Sequence, residues 1–445
     1  MSRRLNHANR CNLQTLTIDV SRHQLFTPTF AFQLEIPVVP SIWKQLGEVE
    51  HGNTIGQTEF VALSADTSTI AVMSRLYPIQ VFRVDDDGEY TEQIGQELYP
   101  DAADISADGK TIICSAYCTT MMCTSDDLDG YVRVFSLEFD NVLGTVTWKQ
   151  IGQDIIGTLS GGNFGRIVSI SKDGKTIAAS SGSVYNYSTE LWDSGPVRIY
   201  RLAEDGTSWE QMGEDIIGGY SESDTSLSLS ADGLTIVIGD ELNDANGDNS
   251  GQVTVYRFNS GVGNWEQLGQ SIYGDNEMVE FGSYVQLSND GNILLTGNPP
   301  ISDWVNQKQY VGYARVYSLT TNGNNNTGTW QQIGQDFIIE DDIDYYGWPV
   351  SLSDDGKTLA MGAPGAVGEN VYEAYQAGLV TIYRMDDSNS GWMQLGDAIR
   401  GVEANENLGH SVFLSADGNK LVIGYIKEDE YGQSNSHLKT YVLES

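Results

Sequence analysis

Short apolar runs, four to seven residues long and rich in Val, Ile, Leu, Phe and Tyr, recur along the whole chain, each bounded by Gly, Asp or Asn. That pattern predicts strands joined by tight turns. The stretch from Trp209 to Arg257 shows the unit: a W-x-Q-hydrophobic-G segment, an apolar run ending in L-S-A-D-G, a T-I-V-I-G run, and G-x-V-x-V-Y. The first part recurs seven times, ending at Gly47, Gly95, Gly152, Gly213, Gly269, Gly334 and Gly396. Its Trp is present at Trp43, Trp148, Trp209, Trp265, Trp330 and Trp392, and Thr91 stands in the remaining copy. The second part also recurs seven times, and only the first copy lacks the turn Gly, with Thr67 in its place. An Asp-Gly pair between apolar runs is a hairpin signal, so these Asp residues read as turn chemistry. The last strand recurs from Ile79-Gln80-Val81-Phe82 to Leu438-Lys439-Thr440-Tyr441 with alternating polarity.

Four short antiparallel strands repeated seven times predict an all-β, seven-bladed β-propeller over 41–445. The Trp-containing strand is expected to be outermost. The segment at 41–47 would then complete the last blade, 410–445, and close the ring by pairing the two ends of the chain, which removes free edges. Residues 1–40 form an N-terminal extension outside the repeat. Within it Thr29 to Ile36 alternates cleanly and predicts an extra strand. Residues 1–23 are Arg-containing and acid-poor, as organelle targeting segments and disordered tails both are.

The repeat makes one large domain out of 445 residues that length alone would divide. The charge, 24 basic against 61 acidic residues, disfavours nucleic acid and anionic membranes as partners. No apolar run is long enough to predict a membrane span. Four cysteines, Cys11, Cys114, Cys118 and Cys123, have no zinc-like spacing with His. Cys118 and Cys123 pair only in an oxidising compartment, and reduced thiols are the equal alternative.

At the level of its motifs the chain resembles FG-GAP-type propellers, the repeat family of the integrin α-subunit head. The residues that carry the likeness are Phe281-Gly282-Ser283-Tyr284-Val285, Phe164-Gly165, Tyr346-Gly347, Leu408-Gly409-His410-Ser411-Val412 and Gly362-Ala363-Pro364. The resemblance implies an adhesion-type binding role at the cell surface. It does not carry over the family's calcium sites, because the first hairpin here is only S-A-D-G or a near relative and offers too few oxygens. A separate calcium candidate is the loop at 243–249, where Asp244, Asn246 and Asp248 alternate.

No H-E-x-x-H, nucleophile elbow or Walker loop occurs, so no catalytic residue is singled out, and a glycosidase-like pair among the plentiful carboxylates stays open. His410 falls at the start of an inner strand, where a hydrogen-bonded structural role is expected. Insertions between the second and third strands share one face, the default place for binding. Trp192, Trp304, Tyr185, Tyr187 and Tyr310 lie in them and are candidates for stacking on sugars or anchoring a protein. The reading is therefore a non-catalytic scaffold that binds a protein or glycan outside the cell. The alternatives are a carbohydrate hydrolase or lyase using channel carboxylates, and an intracellular assembly scaffold.

Overall fold

The computed structural model describes residues 42–51, 60–73, 78–85, 90–116, 129–140, 144–158, 162–182, 184–186, 191–193, 195–217, 226–299, 301–303, 308–310, 312–321, 327–338, 349–366, 376–386, 391–428 and 434–444. Contacts divide the chain into the units Met1–Val39 and Pro40–Ser445. The extra strand expected at 29–36 lies outside the described residues.

Seven antiparallel four-stranded sheets form a ring, and the chain is a seven-bladed β-propeller. Blade 4 is typical: Ser226–Leu229 is innermost, followed outward by Thr235–Asp240, Gln252–Asn259 and Asn264–Gln267. Its second strand is buried at every position, since neighbouring blades cover both of its faces. That is why it reads as a continuous apolar run and not as an alternation. Blade 7 has inner strands Ser411–Leu414, Lys420–Glu428 and Ser434–Glu444, and its outer strand is Ile42–His51 from the other end of the chain. The expected closure is present, and its strand runs on past Gly47 to His51, with a bulge between Gln45 and Gly47. Each inner strand touches the next, and blade 7 touches blade 1.

The core is divided into seven clusters, one at each blade junction, with no common centre. The repeat motifs are the stitches of these junctions. The Nε1 of Trp148, Trp209, Trp265, Trp330, Trp392 and Trp43 donates to the carbonyl of Ile94, Ile151, Met212, Leu268, Ile333 and Leu395 of the preceding blade. At five of these junctions the Gly that follows the acceptor leaves room for the indole: a Cβ on Gly152 would stand 2.6 Å from Trp209 Cδ1. This explains why W and G travel together in the motif although they never touch within one copy. The F-G motif is likewise paired across a junction with the G of G-x-V-x-V-Y, as in the parallel bridges Gly251–Phe281 and Gly378–Leu408.

The turn Asp residues do what their spacing implies. In all seven hairpins the Ser hydroxyl donates to the Asp two residues on, at 2.6–2.7 Å. The same carboxylate oxygen accepts a backbone N–H from the residue two further along. Thr67, in the copy without Gly, adopts the left-handed conformation that Gly supplies elsewhere, with φ 62°.

Candidate functional site: central channel and loop face

The hairpin turns gather on one face of the ring, here called the turn face. Connections between second and third strands gather on the opposite, loop face. Inner strands line the channel between them.

The residue between the turn Ser and Asp faces its counterparts in neighbouring blades. Backbone N–H groups donate from Ala65 to Ala107, Ala107 to Lys172, Ala231 to Asn289, Asn289 to Asp354, Asp354 to Ala416, and Ala416 back to Ala65. These bonds run round the channel mouth across six of its seven junctions, that between blades 3 and 4 being the exception. Across that mouth Lys172 Nζ lies 3.1 Å from Asp354 Oδ1, joining blade 3 to blade 6 on the far side of the ring. The Asn289 amide donates to the other Asp354 oxygen at 2.8 Å. Side chains of blades 3, 5 and 6 thus bar the turn-face end of the channel.

One level deeper, the residue two before the turn Ser stitches blade to blade at four junctions. Ser228 Oγ accepts the N–H of Leu287, Ser351 Oγ that of Leu414, and Gln286 Oε1 that of Leu352. In blade 2 this position is Asp104. One of its oxygens accepts the N–H of Ile170 at 2.9 Å and the other that of Ile105 at 2.8 Å. It keeps some exposure to the channel. Burial pushes its pKa up to about 6, against the lowering effect of these N–H groups and of nearby Lys172. Tyr284, in blade 5, is raised by burial and by the Asp104 charge. Burial lowers the pKa of His410, at the loop-face end of blade 7's inner strand.

The calcium candidates in the loop of blade 4 are held by bonds to the protein. Asp244 Oδ1 accepts the N–H of Asn249 at 2.8 Å, and the Asn246 amide donates to the Gly274 carbonyl at 2.7 Å. Asp248 contributes its carbonyl, which accepts the N–H of Met278. The loop is thereby docked on the connection leading into blade 5. Among the described residues no group of three or more His, Cys, Asp or Glu is placed to hold a metal ion.

Of the aromatic candidates, Tyr185 and Trp192 stand opposite each other in a small hairpin, Val184–Asn186 with Leu191–Asp193. Tyr310 lies in a second hairpin, Ile301–Asp303 with Lys308–Tyr310, opposite Ile301. These two ribbons arise from the loop-face connections of blades 3 and 5. Tyr187 and Trp304 lie outside the described residues, as do Cys11, Cys118 and Cys123. Cys114 is a buried free thiol whose pKa burial pushes up.

No family model and no curated protein matches the chain. Among solved structures, a chain of Kuenenia stuttgartiensis hydrazine synthase is similar over 87% of this chain and 97% of that one, at 16% identity and TM-score 0.47. The fold assignment rests on the sheets themselves. Among the described residues no helix is long and apolar enough to cross a membrane.

The sequence reading missed a recurrent ion pair. Arg133 binds Asp154, Arg198 binds Asp215, and Arg315 binds Asp336, each third strand to its own outer segment. In blade 4 the same two positions hold Thr254 and Ser271, hydroxyl to hydroxyl at 3.2 Å. The signal was there: wherever the third strand has Arg at this position, Asp stands four residues after the motif Gln.

Proposed function

We propose that the propeller is a binding scaffold that presents its loop face to a protein or glycan. The observation that carries this reading is a division of labour. The repeated Trp and Gly residues are taken up in junctions between blades, and the repeated Ser and Asp in their own hairpin turns. Of the aromatic residues without a place in the repeat, Tyr185, Trp192 and Tyr310 sit on two hairpin ribbons that share one face. Rigid blades with variable ribbons suit recognition, where little ordering is needed on binding.

The test replaces 184–193, 301–310 or both by short Gly-Ser turns and probes each protein on a glycan array and by cross-linking to a captured partner. Loss of binding with an unchanged melting temperature supports the reading. Binding that survives both replacements overturns it. Asp104 gives the hydrolase or lyase alternative a foothold, because a carboxyl titrating near 6 suits a general acid. Both its oxygens are occupied by backbone donors, which favours the stitching role. Polysaccharide turnover abolished in Asp104→Asn would reverse that judgement.

A further inference from the structure

Independently of what the loop face binds, blade 7 solves the third-strand ion pair differently from the blades that carry Arg there. In blades 3 and 5 the Arg takes two partners. One is the Asp of its own outer segment; the other lies in the connection arriving from the preceding blade, Thr158 for Arg198 and Asp275 for Arg315. The matching residue of blade 7 is Lys439. Its outer segment comes from the other end of the chain, and the place four after the motif Gln there is Val49. Lys439 Nζ instead lies 2.5 Å from Glu406 Oε1, in the connection from blade 6, with the two side chains only 13% and 4% exposed.

Glu406 is itself held. Its other carboxylate oxygen accepts the N–H of Val402 at 2.6 Å and that of Glu403 at 3.1 Å, and its carbonyl accepts the N–H of Ile426 at 2.8 Å. Lys439 Nζ also stands 4.1 Å from the centre of the Tyr425 ring. That ring is stacked on His437, with centroids 4.9 Å apart, and the Tyr425 hydroxyl donates to Glu48 Oε1. Glu48 belongs to Ile42–His51, where it pairs directly with Lys439 across the ladder. Glu48 and Tyr425 therefore meet over the strand that carries the lysine. Among the described residues Ile42–His51 has a ladder on one side only. Trp43 fastens its turn-face half to Leu395, and Glu48 fastens its loop-face half, beyond the bulge at Gly47.

We propose that Lys439 is the pin of a latch on the closing strand: seated by Glu406, it fixes the ring of Tyr425, whose hydroxyl holds Glu48, so that losing the Glu406–Lys439 pair frees the loop-face half of Ile42–His51 while the other blades stay closed. A buried ammonium stays only while its counter-charge is present. Without that charge it moves out to water, and Tyr425 loses the cation against its face. The bond to Glu48 then loosens, and the strand opens locally, well before the ring unfolds.

The experiment is amide exchange read by mass on peptides from every blade, for the wild type, Glu406→Gln, Tyr425→Phe and the double variant. Glu406→Gln keeps an oxygen for the N–H groups of Val402 and Glu403 and removes the charge that seats Lys439. Tyr425→Phe keeps the ring and removes the bond to Glu48. We expect each single variant to speed exchange in 42–51 and 434–444 by about tenfold, with blades 2 to 5 unchanged. The double variant should add little to either, because both act through one latch. A rise spread over all blades, or none in 42–51, overturns the latch. Effects that multiply in the double variant overturn the part given to Lys439, because Glu406 and Tyr425 then hold the strand separately. If Glu406→Gln does not fold, Tyr425→Phe decides by itself whether Glu48 holds the strand.

Discussion

The indole of Trp209 lies against Gly152 of the preceding blade, and its Nε1 donates to the carbonyl oxygen of Ile151 at 3.0 Å. Gly152 has φ 74°, so it meets two demands at once: a left-handed backbone and an open face. Gly206 has φ 70° but nothing within 4 Å of its missing Cβ. The pair separates conformation from packing. Gly206→Ala should cost about 1 kcal/mol, and Gly152→Ala about 2–4 kcal/mol, by denaturant unfolding. Equal costs would show that the indole yields easily and that the junction is looser than its geometry.

The Arg198–Asp215 pair gives a prediction in which two errors correct each other. Arg198 is largely buried, and its guanidinium holds the Asp215 carboxyl below the usual carboxylate range. Arg198→Thr alone should cost about 2 kcal/mol, since it leaves a partly buried carboxylate without its cation. Arg198→Thr with Asp215→Ser reproduces the solution of blade 4 and should recover most of the loss. Additive costs in a double-mutant cycle would refute the coupling.

Acid adds a second readout for the same pair. Because the folded pKa of Asp215 is depressed, its contribution is present above the unfolded value and lost as pH falls through the folded one. Asp154 and Asp336 are depressed in the same way, each first by its arginine. Arg198→Thr should therefore flatten the fall in stability below about pH 4, as followed by urea midpoints. An acid limb as steep as the wild type's would assign that limb to other carboxylates.

Glu280 occupies a left-handed position with φ 53°, where the corresponding residues before Phe164 and Leu408 are Asn163 and Asn407. Asn tolerates this conformation better than Glu. Burial also raises the Glu280 pKa, so its charge is unfavourable at neutral pH. Glu280→Asn should stabilise by about 0.5–1 kcal/mol in denaturant unfolding. A destabilised variant would mean that the carboxylate has a role on the loop face that outweighs its strain.

The blades, their number and the closure of the ring were legible because each follows from local pattern: apolar runs, Asp-Gly turns and a Trp strand left over at one end. The turn role of the Asp residues was legible for the same reason, since Ser230 and Asp232 are neighbours in sequence. What Trp209 touches was not legible, because its acceptor lies 58 residues away and the motif shows only that both recur. The Lys172–Asp354 contact was hidden more deeply. Both occupy the variable position of S-x-D-G, and only a closed ring brings blades 3 and 6 face to face. That Asn246 fastens its loop to Gly274 was not legible either, because the acceptor lies 28 residues away and composition does not express the contact.

The junction between blade 7 and blade 1 differs from the other six. Thr91 stands where its Trp should be, and its cluster among the described residues is Ile70, Val72, Val422 and Leu438 with Leu63, Phe82, Val84 and Phe413 packed against them. The neighbouring junction of blades 1 and 2 buries a cluster from Ala62 to Trp148. The two ends of the chain also meet in blade 7, held by the pairing of Ile42–His51 with Ser434–Glu444. A closed ring distributes load evenly only while every joint is equal, and here one joint lacks the motif Trp. Amide exchange should find the wheel opening at that seam first, so that the ring behaves as a clasp with a hinge of six blades.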